Sequence, residues 1–483
     1  MNSGIDTARL GTSGNPLRVA IVGSGPSGFY AAEALFKSPL SVRVDMLERL
    51  PVPFGLVRYG VAPDHPKLKQ PTMIFDKIAQ SPAFTFLGNV TVGRDVDVEQ
   101  LRATHHAILF ACGAESDRRL GLPNEDLPGS HTATEFVGWY NGHPDYRDRS
   151  FDLSQEVAVV IGQGNVAIDV ARILAKPIDE LRGTDMAEHA LAALAGSRVR
   201  DIHIIGRRGP AQASFTFKEL RELGALGGCA ALVSESDLHL NSASLAELED
   251  KNNFNAAKNV EILQSWTTHR ATAAGKRIWF HFMQSPVAIA GTGRLERITL
   301  ERNRLTGPAL GQLAQGTGEM IDLDCGLLFR SIGYRGIPLP GVPFEPARGV
   351  FPSTVGRIDG MRGLYAAGWI KRGPSGIIGT NRADAVATVQ SLLADLPYLD
   401  SRPKSGAEGL KATLAHHNAQ VLSYDDWQRI DAEEQRRGEV VGKPREKITR
   451  VGDMLAMAVP PGQCGLVRNA DASASEPCSA PSQ

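Results

Sequence analysis

The chain is poor in cysteine. Its 483 residues contain five, Cys112, Cys229, Cys325, Cys464 and Cys478, and no two of them form a CxxC pair. That scatter argues against a structural zinc site, an intrinsic iron–sulfur cluster and a dithiol redox couple. Scattered thiols suit a reducing compartment, and the expectation is a cytoplasmic protein without a metal centre. Excess charge is also lacking: 52 Lys and Arg stand against 53 Asp and Glu, a net charge of −1. No global field therefore draws the protein to nucleic acid or to an anionic membrane. No window approaches the roughly 20 apolar residues that a membrane-spanning helix needs. The opening MNSGIDTARLGTSGNPL has no apolar core and one arginine. It reads as neither a secretory signal nor a transit peptide, but as a disordered leader over residues 1–17.

Glycine is abundant, with 50 residues, which suits a fold rich in tight strand-to-helix turns. RVAIVGSGPSGFYAAEALFKSPLSVRVDMLERLPVPFG begins at Arg18. The pattern predicts a strand at Val19–Val22, a turn with Gly23, Gly25 and Gly28 as GxGxxG, and a helix from Ser27. A second strand, Val42–Leu47, then ends at Glu48, 20 residues beyond Gly28. Strand, glycine turn, helix, strand and acid form the context of a dinucleotide site. An acid there favours a free ribose hydroxyl, as in FAD or NAD.

A second unit starts at Glu156, EVAVVIGQGNVAIDVARILA, with Gly162, Gly164 and Ala167 as GxGxxA. Its next strand, Ile202–Ile205, ends in Gly206 and then Arg207 and Arg208. Two guanidinium groups stand where the first unit has a carboxylate. A 2′-phosphate carries about two negative charges near neutral pH and suits charge-assisted, bidentate hydrogen bonds from arginine. The second site is expected to prefer NADP over NAD.

HAILFACGAES, from His106, and GLLFRSIGYRG, from Gly326, read as the exit from the first unit and the return to it. GLYAAGWIKRGPSGIIGTNRADAVATVQSLL, from Gly363, reads as strand, glycine loop and helix, a third helix N-terminus facing a ligand. The expected fold is α/β with two Rossmann-like units, one inserted into the other. The outer comprises 18–114 and 334–460, and the inner 115–333. Residues 461–483, rich in Pro, Ser and Ala, form a disordered tail. Residues 401–458 are charged and partly helical, with no chemistry legible in them. FGLVRYGVAPDHPKLK, from Phe54, sets His65 between two prolines beside Asp64. A histidine can relay protons near neutral pH or simply fix such a loop. Asp169 in the second helix, and Lys218, Glu219, Arg221 and Glu222 in FKELRE, read on spacing alone as helix-face charges.

GSGPSGFYAAEAL, PFGLVRYGVAPDHP, GQGNVAIDVAR, GRRGPAQASFTFKELRE and AAGWIKRGPSGIIGTNRADA occur in this order. Together they resemble adrenodoxin reductase and its bacterial relatives, the FprA-type NADPH:ferredoxin reductases, over residues 18–458. The resemblance implies that 18–114 with 334–460 bind FAD and that 115–333 bind NADP. It implies hydride transfer from NADPH to FAD, then single electrons to a ferredoxin-type iron–sulfur protein, with a cytochrome P450 as one terminal acceptor. By motif, Ser27, Glu48, Leu56, Val92, Trp369, Gly376, Ile377 and Ile378 would contact FAD. Gln163, Gly164, Asn165, Val166, Arg207, Arg208 and Glu219 would hold NADP, with Gly376 near the nicotinamide. His65, Asp169 and Glu222 match positions around the flavin and its proton or electron path. The mitochondrial enzymes dock an acidic ferredoxin on a basic surface. Arg221 matches one of its members, but LEDKNNFNAAKN, from Leu248, has no arginine, which favours a bacterial-type enzyme. Other readings are the NADPH-oxidising subunit of a larger complex, as in glutamate synthase, a flavin monooxygenase, and a non-catalytic nucleotide-binding protein.

Overall fold

The computed structural model describes residues 9–269, 275–376, 378–417 and 419–458. Two sheets organise them. In the first, the strands Phe84–Gly88, Val42–Glu48, Leu17–Val22, Ala107–Phe110 and Leu364–Ala366 lie side by side and parallel. Two short antiparallel strands, Arg357–Ile358 and Ser353–Thr354, extend its edge. The second sheet is parallel throughout, in the order Ser130–Thr132, Leu327–Arg330, Val157–Ile161, Asp201–Ile205, Lys276–His281, Cys229–Val233. A three-stranded antiparallel sheet, Gln284–Ala290, Arg297–Thr306 and Leu313–Asp324, flanks it. The chain thus builds two Rossmann-like α/β sheets.

Each central strand is apolar on both faces because both faces are covered. Val19 and Ile21 enter one core while Ala20 and Val22 enter another. In the second sheet Ala158 and Val160 face one core, and Val159 and Ile161 the other. Between the sheets, Ser116–Asp117 pairs antiparallel with Tyr334–Arg335, so the outgoing and returning passes of the chain are joined to each other.

The leader differs from expectation. Structure begins before residue 17: Leu10 is buried in the first core, Gly11 N–H donates to the Asn15 carbonyl at 2.8 Å, and the buried Asn15 amide donates to the Ser401 carbonyl at 2.8 Å. One apolar side chain seated in the core orders this stretch. Residues 461–483 lie outside the described residues.

The 401–458 region, silent in the sequence, braces the two units. Glu434 of the helix Tyr424–Val440 pairs with Arg58 at 2.5 Å, both buried. Trp427 of the same helix lies 5.0 Å from that guanidinium. Farther along, Lys447 reaches Asp185 at 3.1 Å, and Asp185 also takes Lys69 at 2.6 Å. One carboxylate of the second unit is therefore held by cations from the first unit and from the C-terminal segment.

Candidate functional site

The first glycine turn is shaped by three different demands. Gly23 has φ +105°, and a Cβ there would lie 2.6 Å from the Ala111 carbonyl oxygen. A Cβ on Gly28 would overlap the Gly23 carbonyl oxygen, so only glycine lets the helix Pro26–Phe36 sit on the strand. A Cβ on Gly25 would meet nothing within 4 Å. Gly25 is also the N-cap, with no side chain capping the helix. The first-turn N–H groups thus open onto free space, the geometry that receives a pyrophosphate. Glu48, at the end of the neighbouring strand, accepts from Ser24 Oγ at 2.6 Å and Ser24 N at 3.1 Å. Leu50 N donates to its other oxygen at 3.1 Å.

Other expected contacts gather at this turn. Gly55, next to Leu56, approaches so closely that its Cβ would stand 3.2 Å from Gly25 Cα. Gly368, at φ +76°, leaves room for the Ser27 hydroxyl, which a Cβ would overlap. Trp369 follows, stacked on Tyr334 at 5.4 Å; its indole N–H is buried and has no acceptor among the described residues. That orphaned donor, the bare helix N-terminus and the Glu48 carboxylate fit a dinucleotide carrying hydrogen-bond acceptors. Gly376 (φ +85°) precedes the helix Ile378–Ala394, which packs along Pro26–Phe36. Ile377 lies outside the described residues. Val92 is buried among Leu47, Leu87 and Val90, so it offers an apolar wall. Cys112, on the segment against Gly23, is half-buried; desolvation, aided by the Glu115 charge, pushes its thiol up to about 12.

The second glycine turn repeats the plan. Gly162 has φ +134° and leaves no room for a Cβ beside the Ser331 carbonyl, whereas Gly164 is open and caps the helix Asn165–Ala175 without a side chain. Gln163 and Asn165, expected on the ligand, use their side chains internally. Gln163 Nε2 donates to the His281 carbonyl at 3.2 Å, and Asn165 Oδ1 accepts from Thr216 N at 2.8 Å. They shape the wall through which the backbone around Gly164 and Val166 is presented. Arg207 and Arg208 end the strand Asp201–Ile205; neither guanidinium has a hydrogen-bond or ion-pair partner among the described residues. Two unneutralised cations at a strand end await an anion.

His65, Asp169, Glu219 and Glu222 converge at the seam between the units. His65 Nε2 lies 2.8 Å from Glu222 Oε2 and 3.8 Å from Glu219 Oε2. One ligand atom each of His65, Asp169 and Glu219 lies within 4.8 Å of the others. A cation already balances this group. Arg172, 1% exposed, contacts Asp169 Oδ1 at 2.7 Å and Glu219 Oε2 at 3.3 Å. The arrangement is thus an arginine-centred charge cluster. Burial raises the Asp169 carboxyl above its ordinary value against the pull of Arg172. Glu219 is raised by burial and by the Asp169 charge. Glu219, expected on NADP, lies 3.8 Å from His65 Nε2 and 3.3 Å from Arg172 Nη1.

The sequence reading passed over Asp64 and Arg172. Arg172 Nε and Nη2 grip Asp64 at 2.8 and 3.0 Å, and Lys176 adds a third contact at 3.0 Å. A lone arginine inside the apolar run VARILA was the available signal: it sits on a helix otherwise buried on that side. The segment beginning at Leu248 presents an aromatic surface. Phe254, 57% exposed, packs edge-on against Phe217 at 5.8 Å, with Arg221 over one ring and Lys258 over the other.

Comparison with known proteins gives these sites relatives. Residues 21–89 match the model of an NAD(P)-binding Rossmann-like domain. The chain is 44% identical to NADPH-ferredoxin reductase FprA of Mycobacterium leprae over 90% of this chain and 97% of that one. It is 44% identical to the mitochondrial NADPH:adrenodoxin oxidoreductase of Salvelinus fontinalis, over 91% of each. The structure of Mycobacterium tuberculosis FprA in complex with NADPH superposes with a TM-score of 0.87 at 43% identity, covering 92% of this chain and 99% of that one. No described helix is long and apolar enough to cross a membrane.

Proposed function

We propose that this chain, which belongs to the adrenodoxin reductase and FprA family and is an NADPH-ferredoxin reductase, holds FAD on its first glycine turn and NADP(H) on its second. The FAD unit comprises 18–114 with 334–460, and the NADP unit 115–333. The observation that carries this assignment is the contrast at two equivalent strand ends. Glu48 is a hydrogen-bonded carboxylate suited to ribose hydroxyls. Arg207 and Arg208 are cations without a side-chain partner among the described residues and suit a 2′-phosphate.

The chain's own residues do four things in this reading. Gly25 and Gly164 open two helix N-termini to pyrophosphates. Ser24 orients Glu48 for the ribose. Trp369 offers its orphaned N–H to an acceptor of the flavin nucleotide, and Leu56, Val92, Gly376 and Ile378 are assigned to its surroundings. His65, with Asp169, Glu219 and Glu222, holds a proton at the seam. FAD, when bound, couples a two-electron donor to a one-electron acceptor. Alignment of two bound cofactors, rather than a nucleophile, supplies the catalysis.

The electron acceptor is a ferredoxin-type iron–sulfur protein in the cytoplasm, with a cytochrome P450 as one onward destination. The names of both relatives support the acceptor class. The five cysteines form no CxxC pair, a spacing that suits a cluster carried by the partner. Phe254, Arg221 and Lys258, beside the seam, offer an aromatic and cationic seat to an acidic partner. The test is anaerobic: NADPH, the purified flavoprotein and a [2Fe–2S] ferredoxin are mixed, and the ferredoxin's visible absorbance is followed. Its bleaching only when all three are present supports the reading. A yellow protein that consumes NADPH without bleaching the ferredoxin contradicts it.

A further inference from the structure

Arg172 is the one charged side chain in the run VARILA that ends the helix Asn165–Ala175, and it is 1% exposed. A buried guanidinium is costly unless every face finds an anion. Here it finds three, each from a different place. Asp64, on the loop that carries His65, takes Nε and Nη2 at 2.8 and 3.0 Å. Asp169, one helical turn before Arg172, lies at 2.7 Å. Glu219, from the helix Phe217–Gly224, lies at 3.3 Å.

We propose that Arg172 is a positioning residue for hydride delivery: its guanidinium fixes the loop carrying His65 against the helices carrying Asp169 and Glu219, and it keeps the carboxylates around His65 in charge balance. The proposal rests on the cofactor reading above. Asp64 immediately precedes His65, so the bidentate grip on Asp64 sets where the imidazole meets Glu222. The charge count explains the second role. Asp64, Asp169, Glu219 and Glu222 bring four acids to the seam, and among the described residues Arg172 and Lys176, besides His65, are the cations paired with them. Tyr140, from the helix Ala133–Tyr140, and Tyr334 face the same group as neutral hydroxyls, both pushed up by burial. Glu180 draws on Lys176 from outside at 3.7 Å. Removal of Arg172 leaves Asp169 and Glu219, both already raised by burial, with little but protonation to relieve them.

The two roles separate by experiment. Holoprotein carrying Arg172→Gln, Arg172→Lys or Asp64→Asn is compared with wild type in two ways. One is hydrogen–deuterium exchange of the 61–69 loop, which needs no turnover. The other is the pH profile of anaerobic flavin reduction by NADPH. Arg172→Gln is expected to speed loop exchange and slow reduction, each by about tenfold, and to move the acid limb up by about one pH unit. Arg172→Lys restores the charge and returns the limb, but lacks the fork, so the loop still exchanges fast. Asp64→Asn frees the loop without raising the limb. Should Arg172→Gln fail to fold, the other two variants decide. A folded Arg172→Gln with lower Tm but unmoved limb and unmoved loop exchange overturns the proposal. Wild-type protein that NADPH does not bleach overturns the cofactor reading and this proposal together; a bleached wild type superimposable on Arg172→Gln overturns this one alone.

Discussion

His65 and Glu222 meet across the seam of the two nucleotide-binding units, Nε2 to Oε2 at 2.8 Å. The imidazole is sheltered and the carboxylate is 56% exposed. The pair is therefore a bridge that water can reach from one side. It ties the loop of His65 to the helix Phe217–Gly224 that carries Glu222.

Glu222→Gln should leave folding and flavin content intact, because a half-exposed pair contributes only about 0.2–1 kcal/mol. Flavin reduction by NADPH should slow by a few-fold, about the same free energy expressed in the transition state. A stopped-flow comparison at matched NADPH saturation checks it. A variant with the wild-type rate would confine the pair to structure.

The two glycines of the first turn should fail in different ways. Gly25→Ala adds a Cβ that meets nothing within 4 Å, so the apoprotein should keep its Tm while flavin binding is lost. Gly28→Ala pushes the helix from the strand, and overpacking of this kind costs about 1–3 kcal/mol. Tm and bound-flavin absorbance, read side by side, separate a ligand cradle from a packing contact. Equal loss of Tm in both would contradict the assignment.

Replacing Arg207 and Arg208 together by Gln should raise KM for NADPH and leave NADH nearly untouched. Loss of two charge-assisted contacts is worth about 3 kcal/mol, roughly a hundredfold in kcat/KM. Unchanged preference for NADPH would remove the 2′-phosphate from this strand end.

Asp64 gives the fold an acid limit. Burial would raise its carboxyl, but the hydrogen bonds and charges of Arg172 and Lys176 outweigh that and hold it well below the ordinary range. A depressed folded-state value means stability that is complete above the unfolded carboxyl's pKa of about 4 and lost as pH falls further. Asp64→Asn should therefore lower Tm at neutral pH and flatten its decline in acid. A parallel decline in both proteins would mean that other carboxylates set the limit.

Much of this was legible in the sequence because the nucleotide turns are local. Gly23, Gly25, Gly28 and Glu48 stand in one continuous stretch; Gly28 meets Gly23 and Glu48 meets Ser24, 24 residues away, and the pass of Ala111 against Gly23 comes from farther off. The charge cluster was not legible as a unit. His65, Asp169 and Glu222 were singled out only by resemblance, since their meeting depends on how two separately folded units pack. Asp64 and Arg172 stand 108 residues apart, so a lone arginine in the run VARILA shows that it needs a partner but not which one. The leader was misread for a similar reason: Leu10 has no periodic context, yet it fills a place in a core made by distant strands. The 401–458 region, charged and partly helical in the sequence, showed no chemistry because its partners, Arg58 and Asp185, lie elsewhere in the chain.

The central claim is that two different nucleotides occupy two similar turns, with electrons passing from the second to the first. Anaerobic stopped-flow mixing of the purified protein with NADPH, and separately with NADH, tests it most directly. The account predicts a yellow protein whose flavin bleaches rapidly with NADPH and much more slowly with NADH. A colourless protein, a flavin that NADPH leaves oxidised, or equal rates with the two donors would contradict it.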